Sequence, residues 1–205
     1  MYLKIPKQFA AEIAIQQHIR SLSLVERIIY YMIDWKYRKS VNLQKWLANA
    51  LTYNNPVIPD TGILLTDSNR IKCQKALKYV HSITTYLGDP EQWDTEEKWQ
   101  TPLETWTSHL GDCEDGAILL YAILTNHGVP DDQLRIVAGD VVGGGHAYVV
   151  WLSDEDGLEY ALDWCYWYNR SINMNNPYVL EVNYNYGQLE WFSFNKATAY
   201  RRKQQ

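Results

Sequence analysis

The sequence predicts an α+β fold, with a mainly helical N-terminal part and a central helix packed on an antiparallel β-sheet. Three observations carry the expectation. Apolar residues recur at helical spacing between Leu24 and Leu87, the run Ala117 to Leu124 is apolar almost all round, and beyond Pro130 the apolar period falls to two. At 205 residues and 46% hydrophobic content the chain stays below the size at which one core divides. Residues 1–205 are therefore read as a single domain, 1–88 mainly helical and 89–205 forming a core around the central helix and sheet.

Leu24, Val25, Ile28, Ile29, Met32 and Ile33 form the first stripe, opened by Ser23-x-x-Glu26 as a capping box. Leu43, Trp46, Leu47, Ala50 and Leu51 form the second, capped by Asn42 and stopped at Asn54-Asn55-Pro56. A third stripe, Cys73 to Leu87, is closed by Gly88-Asp89-Pro90, and Cys73 falls on its apolar face as a core residue. From Glu91 to Thr107 the period is lost while Trp93, Trp99, Pro102 and Trp106 accumulate, which predicts an ordered but irregular segment. The central helix opens at Asp112 and closes at His127-Gly128-Val129-Pro130. Strands are expected at Leu134 to Ala138, His146 to Leu152 and Leu158 to Asp163, the last two joined by the turn Ser153 to Gly157. Tyr178 to Tyr184 and Leu189 to Phe194 read as a further hairpin around Asn185-Tyr186-Gly187.

Composition narrows the function. A net charge of -5 gives no basic surface for a phosphate backbone, so nucleic acid is not expected as a partner. No stretch reaches the ~20 apolar residues of a membrane span, and the start Met1 to Pro6 has no signal-peptide centre, so the chain as written is expected in the cytoplasm. The three cysteines lack both disulfide parity and zinc-ligand spacing. Sixteen Tyr and nine Trp fit core filling better than a peptide-gripping groove.

Cys113 lies in the first turn of the central helix, where unpaired N–H groups and the helix dipole favour a thiolate. A free thiol titrates near ~8.5, and such a position with an imidazolium nearby lowers it to roughly 3.5 to 7.5. His146 follows the glycine-rich Val141 to Gly145 at the start of a strand. With the next hairpin closed tightly at Asp154-Glu155, Asp163 is its direct cross-strand partner; a turn two residues longer makes the pair diagonal on the same face. Asp163 then orients the imidazole toward the thiol, the arrangement of a nucleophile, base and orienting acid. Cys165 shares the parity of Asp163 but sits in Trp164-Cys165-Tyr166-Trp167, which predicts burial. His18, His81, His109 and His127 are isolated and read as surface or capping residues. Asp154-Glu155-Asp156-Gly157 lacks the spaced ligands of a calcium loop.

Asp112, Glu114 and Asp115 suit a helix start, yet three carboxylates beside Cys113 raise a thiol's pKa. A hard cation at Asp112 and Asp115, completed by oxygens from Tyr160 to Trp164, resolves that conflict.

Trp99-Gln100-Thr101-Pro102-Leu103-Glu104-Thr105, Gly111-Asp112-Cys113-Glu114-Asp115, Gly145-His146-Ala147 and Leu162-Asp163 together resemble the bacterial transglutaminase-like cysteine proteinases, over roughly residues 85 to 165. The resemblance implies a papain/transglutaminase-like α+β fold with the helix carrying the thiol into a groove. It further implies a calcium-dependent protease acting on surface adhesins, with calcium held near the nucleophile, and a periplasmic setting where a leader has been removed. The aromatic C-terminal hairpin has no counterpart in that pattern. The expected chemistry is hydrolysis of a peptide or amide bond in a polypeptide through a Cys113 thioester, needing no cofactor for the chemistry itself, with calcium near the site as what the resemblance implies. The oxyanion would be met by the Cys113 N–H and a donor from Trp99 or Gln100. Acyl transfer to an amine, deamidation, or peptide binding without turnover are the alternatives on the same fold.

Overall fold

The computed structural model describes residues 2–5, 58–94, 98–141, 144–165, 189–196 and 199–202. The helices expected at 24–33 and 43–51 and the strand expected at 178–184 lie outside these residues.

Helix α1 (Asn69–Ile83) is capped by Ser68, whose hydroxyl accepts the Ile71 N–H, and buries Cys73, Ala76, Leu77 and Val80. It ends four residues short of the expected Leu87. Thr84 turns extended and returns its N–H to the Val80 carbonyl, and Thr85–Tyr86 becomes strand β2. Two consecutive β-branched threonines leave a helix readily, and a parallel partner takes up the freed backbone: β2 pairs with β3 (Leu110–Gly111). The segment expected to be irregular contains two short helices, α2 (Asp89–Trp93) and α3 (Pro102–Ser108). Neither is long enough to show a period. The start of α3 was nonetheless written in the sequence, because Thr101 and Glu104 form a capping box around Pro102.

Helix α4 (Cys113–Asn126) follows β3 directly, with Asp112 as its N-cap. Ile118, Leu119, Leu120, Ile123 and Leu124 are fully buried, each worth about 1.5–3 kcal/mol of transfer free energy. The helix packs on the sheet strands β4 (Leu134–Val141) and β5 (Gly144–Leu152) and is covered by α1 and α3. Strands β6 (Glu159–Leu162), β7 (Leu189–Phe194), β8 (Ala199–Arg202) and the N-terminal β1 (Tyr2–Ile5) complete a six-stranded sheet in the order β1-β8-β7-β4-β5-β6, antiparallel at every pairing. β7 pairs with β4 on one side and β8 on the other. An extra residue in β7 shifts its register against β4 between Ala138 and Gly139, and Gly139 faces His146 on the other side of β4. The bulge thus bends the sheet at the level of His146.

The β5–β6 turn corrects the expected register. Ser153 N–H donates to the Leu158 carbonyl at 2.8 Å, so the hairpin closes around four residues, with Gly157 at φ 72° supplying the left-handed step. Val149 consequently faces Leu162, and continuing that register puts Asp163 opposite Tyr148, diagonal to His146. Arg70 of α1 holds this turn down through Glu155 (2.5 Å) and Asp156 (2.9 Å) while lying over the Tyr160 ring.

Beyond β6 the chain is locked onto the start of α4. Trp164, 2% exposed, donates its indole N–H to the Cys113 carbonyl at 3.2 Å, and its ring occupies the space a side chain at Gly116 would need. A Cβ at Gly116 would lie 2.1 Å from the indole nitrogen. Gly116→Ala is therefore expected to destabilise the protein by roughly 1–3 kcal/mol or more, the range for overpacking a filled core. Urea unfolding followed by Trp fluorescence measures it, and a variant as stable as the parent would show that the ring yields freely.

Candidate active site

Cys113 is the first residue of α4 and half-buried. Its S–H donates to Glu114 Oε2 at 3.1 Å. Burial, then the charges of Asp112 and Cys165, push the thiol well above its ordinary pKa, opposed by the Glu114 contact and by the Ala147 backbone N–H from β5. The helix start was expected to lower this pKa; in the folded protein, desolvation and the adjacent carboxylates outweigh it. The Ala147 contact also puts the thiol against β5 next to His146.

His146, 6% exposed, lies within β5 and not at its first position. Its Nε2 is 2.7 Å from Asp163 Oδ2, and its ring stacks on Tyr148. Asp163 is fully buried just past the end of β6, and its Oδ1 accepts the Cys165 N–H at 2.9 Å. The pair meets although the register differs by two from the tight-turn expectation, because a shift of two keeps both side chains on one face. Nε2 is the ring nitrogen that faces the acid.

Of the two residues expected to offer an oxyanion donor, Gln100 has its N–H groups engaged elsewhere. The Trp99 ring is buried, stacked on Phe194 at 5.9 Å. Gln100 directs both its backbone N–H and its Nε2 to Asp115, each at 2.6 Å. These donors are committed to holding a carboxylate, and Gln100 acts as a positioning group beneath the helix start.

That carboxylate belongs to a cluster that sequence reasoning found only in part. Asp89, Asp112 and Asp115 each place an oxygen within 4.8 Å of the others. Asp89 had been read only as part of a helix stop; its distance in sequence hid it, and the parallel β2–β3 pairing delivers it. Asp89 and Asp115 are 1% and 0% exposed. Burial, then Asp112, push Asp89 up to about 7 and Asp115 up to about 8, and burial also raises Asp112. Asp89 Oδ1, Asp112 Oδ1 and Gln100 Oε1 are buried without a hydrogen-bond partner among the described residues. Two of these orphaned oxygens belong to the carboxylate cluster, a donor set suited to a hard cation. The segment Tyr160 to Trp164, expected to complete such a set, is engaged elsewhere. Tyr160 Oη donates to Asp156, Asp163 serves His146 and Cys165, and the Trp164 carbonyl accepts from His81 Nδ1.

Two further residues enter from outside the expected set. Tyr86, 58% exposed, stacks on Trp164, and burial followed by the Cys113 charge raises its phenol. His81, read as a surface residue, holds the Trp164 carbonyl at 3.2 Å. His109 and His127 are the C-caps of α3 and α4, and His18 lies outside the described residues.

The sequence pattern of a family described as bacterial transglutaminase-like cysteine proteinases matches residues 59–196. Among solved structures the chain is similar to Legionella pneumophila LapG in three states. The EGTA-treated form is 21% identical, with 95% of this chain and 86% of that one covered, at a TM-score of 0.55. A second LapG structure is 20% identical over 97% and 90%, and the calcium-bound form 20% identical over 94% and 87%, both again at 0.55. No curated protein sequence matches the chain.

The raised carboxylates fix a pH dependence. An aspartate near ~3.9 in the unfolded chain and at about 7 or 8 in the fold stabilises the fold when protonated. That contribution is complete below the unfolded value and is lost as pH rises through the folded one. With a chelator present, the melting temperature is expected to fall between pH 5.5 and 8.5, and Asp89→Asn to flatten the fall. A parent profile flat over that interval would contradict the buried carboxylate cluster.

Proposed function

The chain belongs to the bacterial transglutaminase-like cysteine proteinases, and from that premise we propose that it cleaves a peptide bond with Cys113 as nucleophile, His146 as proton carrier and Asp163 as orienting acid. The observation that carries the reading is the buried 2.7 Å contact of His146 Nε2 with Asp163 Oδ2, next to the β5 N–H that reaches the Cys113 thiol. His146 Nδ1 takes the Cys113 proton as sulfur attacks the scissile carbonyl. The same imidazole, now charged and held by Asp163, returns that proton to the departing amine, leaving a thioester. Water, deprotonated by His146, then adds to the thioester carbonyl and releases Cys113. The Cys113 N–H, exposed at the helix start, is the backbone donor that meets the oxyanion.

Asp89, Asp112 and Asp115 would hold calcium. The support is their donor set and the calcium-bound state of the similar LapG. A bound divalent cation supplies positive charge that offsets the carboxylates beside the thiol. Gln100 holds Asp115 in place for it through two N–H bonds, and Asp112 links the cluster to the neighbouring Cys113.

Cys113→Ala is expected to abolish peptidase activity with the fold intact. Asp163→Asn should reduce kcat by on the order of 10^4-fold, the scale of losing the correct tautomer, and His146→Ala at least as much. Steady-state kinetics on a peptide substrate tests the set, and an Asp163→Asn enzyme with parental kcat would remove Asp163 from the mechanism. A second expectation concerns alkylation of Cys113 by iodoacetamide. EGTA should slow it and added calcium restore it, with the pH midpoint moving down in calcium; a midpoint indifferent to calcium and to Asp115→Ala would leave the carboxylates as helix caps.

A further inference from the structure

We propose that Cys165, His146 and Asp163 form a binding site for a thiophilic divalent cation of the zinc class, and that occupancy of this site inhibits the enzyme. The inhibitory half rests on the function proposed above; the binding half stands on the geometry alone. One ligand atom from each residue lies within 4.8 Å of those of the other two. His146 is 6% exposed and Asp163 0%, while Cys165 is half-buried.

The local backbone explains why a thiol arrives there. β6 ends at Leu162, and the Cys165 N–H turns back to Asp163 Oδ1 at 2.9 Å. This is an Asx-type turn, which folds the chain over its own aspartate. The turn, and not continued strand pairing, brings a third ligand to the His146–Asp163 pair.

The donor types select the ion. Imidazole nitrogen, thiolate and carboxylate together suit zinc, which takes four ligands at about 2.0–2.3 Å in a tetrahedron. Such a tetrahedron needs ligand atoms roughly 3.2–3.8 Å apart, so the His146–Asp163 pair opens from 2.7 Å to admit the ion, with the thiol within 4.8 Å of both. Water fills the fourth position. Burial, then the Asp163 charge, hold the Cys165 thiol protonated in the metal-free protein. Binding exchanges that proton for the cation: the S–H bond breaks, the S–metal bond forms, and one proton leaves to solvent. The resulting thiolate and carboxylate balance the two positive charges, with His146 neutral. The all-oxygen cluster at Asp89, Asp112 and Asp115 suits a hard cation instead, so the two sites separate by chemistry. A metal on His146 and Asp163 removes the base and its orienting partner together, which is the source of inhibition.

Cobalt(II) replaces zinc as a visible probe, in protein saturated with calcium. In Cys113→Ala, where the nucleophile cannot contribute, cobalt should produce a thiolate-to-metal charge-transfer band. Cys113→Ala/Cys165→Ser and Cys113→Ala/His146→Ala should both lose it. For turnover, losing even an outer partner of a ligand costs roughly 10–100-fold in metal affinity. Cys165→Ser is therefore expected to raise the zinc concentration for half inhibition at least about tenfold, each enzyme measured against its own uninhibited rate. No band in Cys113→Ala, or a band that survives loss of Cys165, overturns the site. Equal zinc sensitivity of parent and Cys165→Ser overturns the inhibition. A band lost as expected in a protein without peptidase activity upholds the site and rejects the proposed reaction instead.

Discussion

The carboxylate of Asp115, fully buried one turn inside α4, is the constraint on which the site depends. It accepts the Gln100 backbone N–H, the Gln100 side-chain amide and, at 3.3 Å, the Asp112 N–H. A hydrogen bond is worth about 0.5–1.5 kcal/mol net, and a buried acceptor left without its donors costs about 1–3 kcal/mol. The bonds therefore fix three things together: the segment before α3, the turn into α4, and the first residue of the helix. That residue is Cys113. The apolar remainder of α4, sealed between the sheet and α1, determines where the helix lies, and Asp115 determines how it begins.

The same arrangement sets the electrostatic problem of the site. A helix start offers N–H groups to an anion, but Cys113 is flanked by Asp112 and Glu114 and screened from water, and its thiol is held as a neutral donor to Glu114. A neutral thiol is a poor nucleophile. In one location the protein thus combines a feature that favours a thiolate with others that oppose it, burial first and then the Asp112 charge. Burial and then the same Asp112 push Asp89 up to about 7 and Asp115 up to about 8. Proton occupancy and cation occupancy of the cluster are alternatives, because both neutralise the same oxygens.

Much of this was legible in the sequence wherever a strong local signal existed. The all-apolar run after Cys113, the period-two strands and the parity linking His146 to Asp163 needed no tertiary information. The architecture of helix on antiparallel sheet follows from them. What was not legible involved pairing across long separations or elements too short to show a period. β1 is four residues long and pairs with β8 at the far end of the chain. β2 and β3 have two residues each, yet their parallel pairing brings Asp89 to Asp112. Gln100 was noticed, but its role was misjudged, because a sequence shows that an amide is present and not which buried acid will take its N–H groups. The tight hairpin turn failed for a local reason, since Gly157 and not Asp154-Glu155 supplies the left-handed residue. Parity limited the damage, because an even register error leaves faces unchanged.

The remaining question is what holds Asp163 in place, since it stands beyond the last ladder pair of an edge strand. Two attachments answer it. The turn to the Cys165 N–H fixes its carboxylate, and the next residue, Trp164, is fixed to α4 by its bond to the Cys113 carbonyl, by its fit over Gly116 and by His81 on its own carbonyl. The residue that carries the acid is therefore bonded, one position away, to the residue that carries the thiol. A movement of α4 that displaced Cys113 would drag Trp164, and with it the carboxylate facing His146. Cys113 and Asp163 thus behave as one mechanical unit, with β5 supplying the His146 imidazole that faces Asp163. This explains how a group on an edge strand, where backbone order is usually weakest, keeps a 2.7 Å contact in the interior. It also gives the buried indole of Trp164 a structural role, holding the residue after Asp163 against the start of α4.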